Sequence, residues 1–326
     1  MKRKLLIAVA FLATMTAAAQ NIAAVSPSNT TTIFQSLDEA IVGAESGSTI
    51  YLPGGGFQIK DETKINKKLT IMGVSHRGDT DNVDGATIIS GNLNFVGGSS
   101  GSAVLGVYLT GDINVGTETD SVTNFTVRYC NFNSIRVKHR QSSGMVVNQC
   151  YLRSGAIFGN CNVKITNCIC GEIVSINGGT IDHNIFTSRS GPNGYYRYNL
   201  PEVNNSSITN NFFFDWGEGS RGSNCQSFNN CIGTGSWGDN PVVLDEGTTW
   251  DDVFYANKGV SIYSDYRLKG NWGKGKATDG TDIGIYGGSG FKKEALAPIP
   301  RIISKNVAES TDESGKLQIV VKVKAK

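Results

Sequence analysis

Ile165-Thr-Asn-Cys168-Ile-Cys170 is followed 16 residues on by Ile181-Asp-His-Asn184-Ile-Phe186, and the pattern recurs along the chain. Its other copies are Val127-Arg-Tyr-Cys130-Asn-Phe132, Val147-Asn-Gln-Cys150-Tyr-Leu152, Ile208-Thr-Asn-Asn211-Phe-Phe213 and Phe228-Asn-Asn-Cys231-Ile. With Cys130, Cys150, Cys168, Asn184, Asn211 and Cys231 as the anchor, the steps are 20, 18, 16, 27 and 20 residues. A repeat of that length is one coil of a solenoid, with short strands stacked on those of the neighbouring coils. The aliphatic residue three before the anchor and the apolar residue two after it point inward, with a bend between them. Equivalent positions then stack, so asparagines at the anchor can pass hydrogen bonds from coil to coil.

Working outward, Ser48-Thr-Ile-Tyr-Leu52, Leu69-Thr-Ile71 and Ala86-Thr-Ile-Ile89, each followed by glycine, read as earlier coils, as does the stretch 104–109. About nine or ten coils through residue 235 give a rod on the order of 45 Å. Residues 20–32 read as a flexible leader. Ile33, Phe34, Leu37, Ala40 and Ile41 then recur at helical spacing, an amphipathic cap for the open end. The long step of 27 places an extruded loop at 187–203, and loops on solenoids carry function. The repeat fades from Trp237 to Asp279. Residues 301–307 and 317–323 form two apolar strands around Asp312-Glu-Ser-Gly315, a hairpin expected to close the C-terminal end. The domain reading is 1–19 signal peptide, 20–300 solenoid with its N-terminal cap, and 301–326 hairpin.

The chain has 326 residues, with 40 glycines and only seven prolines, a composition of tight turns between short strands. Lys2-Arg3-Lys4, an apolar run at 5–13 and Ala17-Ala18-Ala19 have the layout of a secretory signal, predicting export to the periplasm, cell surface or exterior. That run is too short for a membrane span, and none is expected later. Cleavage removes three of 30 basic residues, leaving 27 against 28 acidic, so global charge gives no support to nucleic-acid binding. Seven cysteines in an exported chain raise the prospect of disulfides. The anchor position of Cys130, Cys150, Cys168 and Cys231 favours buried structural thiols instead, although a bridge between adjacent coils fits the strand spacing.

Residues 33–52, an amphipathic segment running into Gly-Ser-Thr-Ile-Tyr-Leu-Pro-Gly-Gly and followed by Leu69-Thr-Ile-Met-Gly, resemble the opening of the pectin-lyase-like class of secreted bacterial proteins. Asp279-Gly-Thr-Asp282-Ile-Gly-Ile-Tyr286-Gly-Gly288 is similar to the stretch that closes many of them. Across residues 30–290 the resemblance implies an all-β fold, a single-stranded right-handed parallel β-helix with a short N-terminal capping helix and a C-terminal β-hairpin. The class spans lyases, hydrolases, adhesins and members without known activity, so the resemblance speaks to fold more than chemistry.

Hydrolases of this class need paired carboxylates. Asp251-Asp252 stands without the class's Gly-His-Gly and Arg-Ile-Lys partners. A lyase needs cations to neutralise a uronate carboxylate and a base to take the adjacent proton. Ile135-Arg136-Val137-Lys138-His139-Arg140 is the strongest local candidate, because strand alternation buries Ile135 and Val137 and presents Arg136, Lys138 and Arg140 outward. Ten residues past the anchor, Arg140 and Arg221 fall in one column. Lys138, Arg140 and Arg221 are thus the catalytic candidates. Arg136, Arg189, Tyr195, Tyr196, Arg197 and Trp216 are the substrate-binding candidates, the aromatics as stacking surfaces for sugar rings.

Asp79-Thr-Asp81-Asn-Val83-Asp84-Gly85 fails as a calcium loop because Val83 stands where an oxygen ligand is needed, so no metal or cofactor is expected. Arg77-Gly78-Asp79 reads as turn chemistry, and His183 as a bend residue. Two functions follow. One is a non-catalytic surface protein, binding polysaccharide or another cell-surface polymer and adhesive in character. The other is a polysaccharide lyase cleaving an acidic glycan by β-elimination. In a third reading the rod is structural and the hairpin docks a partner.

Overall fold

A computed structural model describes residues 21–77, 85–187, 200, 202–213, 223–233, 238–256, 264–291 and 301–324. The fold is nearly all β, with two long sheets that are parallel almost throughout. In the 11-stranded first sheet, Thr49–Tyr51, Thr70–Met72, Ala103–Leu105, Thr126–Arg128, Met145–Asn148, Val163–Thr166, Thr180–Asp182, Ser207–Thr209 and Gln226–Phe228 pair in that order. Each repeat adds its next strand to the 15-stranded second sheet, where Asn131–Val137 pairs with Tyr151–Cys161, and Ile169–Cys170, Ile185–Phe186, Phe212–Phe213 and Cys231–Ile232 follow.

The register follows the repeat. Ile50, Ile71, Val104, Val127, Val147, Ile165, Ile181 and Ile208 pair successively and form one buried column. Phe132, Leu152, Cys170, Phe186, Phe213 and Ile232 form a second, with the Phe186 and Phe213 rings stacked at 4.5 Å. Leu93, Ile113, Ile135, Ala156 and Ile173 form a third. All three columns belong to one continuous core. Each buried Ile, Val or Phe contributes roughly 1.5–3 kcal/mol, so the core's strength grows with every repeat.

Between the two inward positions the chain must turn. The residue before each anchor does this in the left-handed region: Tyr129, Gln149, Asn167, His183, Asn210 and Asn229 have φ between 50 and 58°. Asn and His enter that region comparatively readily, whereas Tyr and Gln do so at some steric cost. The bend swings the anchor's own N–H away from the sheet, and the next anchor's side chain receives it. Cys168 N donates to Asn184 Oδ1 at 2.9 Å, Asn184 N to Asn211 Oδ1 at 2.9 Å and Asn211 N to Asn230 Oδ1 at 2.9 Å. Each anchor also donates back, as Asn184 Nδ2 does to Ile165 O at 3.1 Å and Asn211 Nδ2 to Ile181 O at 2.8 Å. The Cys150 and Cys168 thiols make the equivalent, longer bonds to Val127 O and Val147 O, both 3.6 Å.

The last anchor is therefore Asn230, not Cys231. Ile208 pairs with Ser227, which sets the repeat one residue earlier than the apolar Phe228 suggested, and Cys231 falls in the outward column beside Phe212. The N-terminus also departs from expectation. Ile22–Val25 and Thr31–Phe34 are antiparallel strands at the end of the first sheet rather than a leader. The helix is only Leu37–Gly43, because Ser36 caps it by accepting from Glu39 N at 3.2 Å and leaves Ile33 and Phe34 in the strand. At the C-terminus the hairpin is Arg301–Thr311 with Leu317–Lys324, and Val307, Leu317, Ile319, Val320 and Val321 are all exposed. Among the described residues no helix is long and apolar enough to cross a membrane.

Asn211→Ala takes from the Asn184 N–H and the Ile181 carbonyl their buried side-chain partner, each costing about 1–3 kcal/mol, and leaves the Asn184 amide with only its bond to Ile165 O. Chemical denaturation should show a loss of about 3 kcal/mol or more for Asn211→Ala and a smaller loss for Cys231→Ala, whose thiol is outside the ladder. Equal losses would contradict the register. All seven cysteines are free thiols, and burial pushes Cys130, Cys150, Cys170 and Cys231 upward and Cys161 to about 12. A thiol reagent should therefore label the native chain at the half-buried Cys225 well before the other six react on unfolding.

Candidate functional site

The outward column of the second sheet changes character along its length. Ile88, Tyr108, Asn131, Tyr151, Ile169, Ile185, Phe212 and Cys231 pair in succession. From Ile169 onward the column is fully buried, under a second core that includes Val253, Phe254, Tyr266, Leu268, Ile283 and Ile285. Phe254 packs on Phe212 at 5.1 Å between ring centres and on Tyr266 at 5.5 Å. Before Ile169 the column opens in part: Ile88 is exposed and Tyr108 and Tyr151 are half-buried, while Asn131 between the two tyrosines is buried.

What holds the cover in place is the bend column. Residues 273–291 form a strap across the side chains that the left-handed bends push outward. Asn167 Nδ2 donates to Ile285 O at 2.9 Å and Gly287 O at 2.8 Å. Asn210 Oδ1 accepts from Thr278 N at 2.8 Å, and Asn229 Nδ2 donates to Lys276 O at 2.7 Å. His183, 3% exposed, donates from Nδ1 to Asp182 Oδ2 at 2.9 Å, while its Nε2 meets Thr281 Oγ1 at 3.2 Å and lies 3.7 Å from Asp279 Oδ1. The strap's backbone comes so close to this ring that a Cβ at Gly287 would collide with His183 and with Asp282 O. The Asp279–Gly288 motif is thus a clasp over an outer face. His183 is a bend residue, as its sequence position implied, and it also anchors the strap.

In the open half, Arg153 organises the surface. Its guanidinium stacks 4.9 Å from the Tyr108 ring centre and donates to Asn131 Oδ1 at 2.7 Å, Leu109 O at 2.9 Å and Thr110 O at 2.8 Å. Burial raises the Tyr151 phenol above its ordinary range. Alongside, Asp112 Oδ1 accepts from Asn133 at 2.7 Å and Ser134 at 2.8 Å, and Asp112 Oδ2 faces Arg136 Nε at 3.3 Å. A row of amides continues through Asn114 and Asn94, which bond at 2.9 Å. Guanidinium and carboxylate are each engaged within the protein, leaving tyrosine rings and amide edges on the strip. Such groups suit stacking on, and hydrogen bonding to, a hydroxyl-rich ligand.

Of the expected site residues, Arg136 sits on the outward face as alternation required, tied to Asp112. Lys138 and Arg140 are exposed, but the strand ends at Val137 and Arg140 lies in a turn closed by Ser142 N to His139 O at 3.0 Å, so the three cations do not share one strand face. Arg189, Tyr195, Tyr196, Arg197, Trp216 and Arg221 lie outside the described residues, as do residues 78–84 with the acidic segment. Tyr108, Asn131, Tyr151 and Arg153 were missed. Their signal was the position after the anchor, which reads Asn131 and Tyr151 before it turns to Ile169, Ile185 and Phe212. Among the described residues no group of three or more His, Cys, Asp or Glu side chains is placed to hold a metal ion.

No protein-family model matches this chain, and no curated protein matches it.

Asp279 is held below the ordinary carboxylate range by the Thr281 hydroxyl, and for Asp182 the hydrogen bonds from His183, Thr209 and Asn210 outweigh the upward pull of burial. A depressed carboxylate stabilises the folded form fully above its unfolded value, about pH 4, and the contribution fades as pH falls through the lower folded value. Folding stability should therefore hold at neutral pH and decline below about pH 4, read by chemical denaturation across that range, while strap docking is read as hydrogen exchange across residues 273–291. Gly287→Ala should loosen the strap at neutral pH, and unchanged protection in that variant would contradict the clasp.

Proposed function

We propose that this chain is an exported right-handed parallel β-helix that binds a polysaccharide or another cell-surface polymer along its open outer strip without altering it chemically. The observation that carries this reading is the pair of half-buried outward rings Tyr108 and Tyr151, two strands apart on one axis, with the buried Asn131 between them holding Arg153 against the Tyr108 ring. A linear polymer lying along that axis would meet the two rings about 10 Å apart, twice the strand spacing. The parallel register and the three buried columns support a β-helix, and its handedness follows from the strong preference of parallel crossovers. The signal-like residues 1–19 support export.

The non-catalytic reading is preferred because the nearest cations are engaged: Arg153 with two carbonyls and Asn131, Arg136 with Asp112. The test is binding of the mature chain to a glycan array, run beside an ultraviolet assay for the conjugated double bond that β-elimination creates. We expect binding with no absorbance change, weakened about tenfold by Tyr108→Ala or Tyr151→Ala. A rise in absorbance that Lys138→Ala or Arg140→Ala abolishes would establish the lyase instead.

A further inference from the structure

The C-terminal hairpin and the N-terminal end of the first sheet are two unfinished β surfaces. A two-stranded hairpin by itself is marginally stable in water. This one pairs Val307 with Ile319 and Lys305 with Val321. Leu317, Ile319 and Val321 alternate onto one face and are 46%, 56% and 45% exposed, so that face is apolar and uncovered. Within the described residues the Leu317–Lys324 strand pairs only with Arg301–Thr311, leaving its other edge open.

At the opposite end of the sequence, Thr31–Phe34 is the terminal strand of the 11-stranded sheet and, among the described residues, pairs only with Ile22–Val25. Its Ile33 is 52% exposed, and Val42, on the helix packed against that strand, is 72% exposed. An edge of this kind is a template for another strand unless charge, proline or a covering element blocks it.

Charge selects the occupant. Residues 21–59 contain Asp38, Glu39 and Glu45 and no lysine or arginine. The Lys67 ammonium that reaches this region donates to Val42 O and Ala44 O at the helix end. Residues 301–326 hold six basic against three acidic residues, a net of +3. We propose that the hairpin of one copy adds its Leu317–Lys324 strand to the Thr31–Phe34 edge of a second copy, setting Leu317, Ile319 and Val321 against Ile33 and Val42 and bringing the net positive hairpin to the acidic N-terminal region. Backbone pairing supplies affinity and the apolar and charged side chains supply selection, the usual division in strand addition. The contact joins two different surfaces, so it propagates head to tail unless two copies exchange hairpins reciprocally and close a dimer.

Sedimentation of the full mature chain over a range of concentrations tests this. Reversible self-association is expected, weakened at least about tenfold, or 1.4 kcal/mol, by Ile33→Lys and equally by Ile319→Lys. Association should also weaken as salt rises, because the acidic N-terminal region and the basic hairpin attract, and association indifferent to salt would overturn the charge selection. A chain that stays monomeric at every concentration overturns the proposal. So does association that Ile319→Lys abolishes and Ile33→Lys leaves untouched, which would place the hairpin's partner elsewhere.

Discussion

Each repeat has to turn a corner with its backbone inside the core, and the anchor hydrogen bond makes that possible. A left-handed residue bends the chain, the next N–H points into the interior, and the following anchor's side chain receives it. A buried N–H without such a partner would cost about 1–3 kcal/mol at every turn. Asparagine serves as both acceptor and donor; the Cys168 thiol does the same more weakly, accepting from Cys150 N, while the Cys130 and Cys150 thiols donate to Val104 O and Val127 O. A polar side chain is thereby retained in a dry interior, because each partner is supplied by the adjacent repeat.

The same bend has a second consequence on the outside. Turning the chain with φ near 55° pushes the side chains of Asn167, His183, Asn210 and Asn229 outward in a row. The strap of residues 273–291 docks on that row and buries Ile169, Ile185 and Phe212, which are outward-facing yet apolar. Where the row changes to Tyr129 and Gln149 the strap ends, and the face carries the half-buried rings of Tyr108 and Tyr151. The division between a covered apolar half and an open aromatic half is set by the bend and outward positions of successive repeats.

Much of this is legible in the chain. The inward residues at three before and two after the anchor are apolar in nearly every repeat, so periodicity alone places Val127, Phe132, Ile165 and Cys170 in the core. The last repeat misleads, because Ser227 occupies an inward position that Ile or Val fills elsewhere, and Phe228 offers a false register one residue away. The N-terminal strands were read as a leader and as part of a helix. Their antiparallel pairing is a tertiary contact, and Ile33 and Phe34 happen to continue the spacing of Leu37 and Ile41. The strap's role was hidden for a related reason: the Asp279–Gly288 motif marks the end of the fold in sequence, but only three-dimensional pairing reveals that Gly287 is small to admit the His183 ring. The open strip had a readable signal in the outward positions after each anchor, which strand alternation assigns to solvent and which were passed over in favour of charge clusters.

The central claim is that anchor side chains, rather than sheet pairing, hold the anchor N–H groups. Residue-resolved amide exchange of the native chain measures this directly. The account predicts that the amides of Cys168, Asn184 and Asn211 are among the slowest to exchange, and that Asn211→Ala accelerates Asn184 more than its sheet-paired neighbour Ile181. Fast exchange at those three amides in the unaltered chain, or an Asn184 amide indifferent to the loss of the Asn211 side chain, would contradict it.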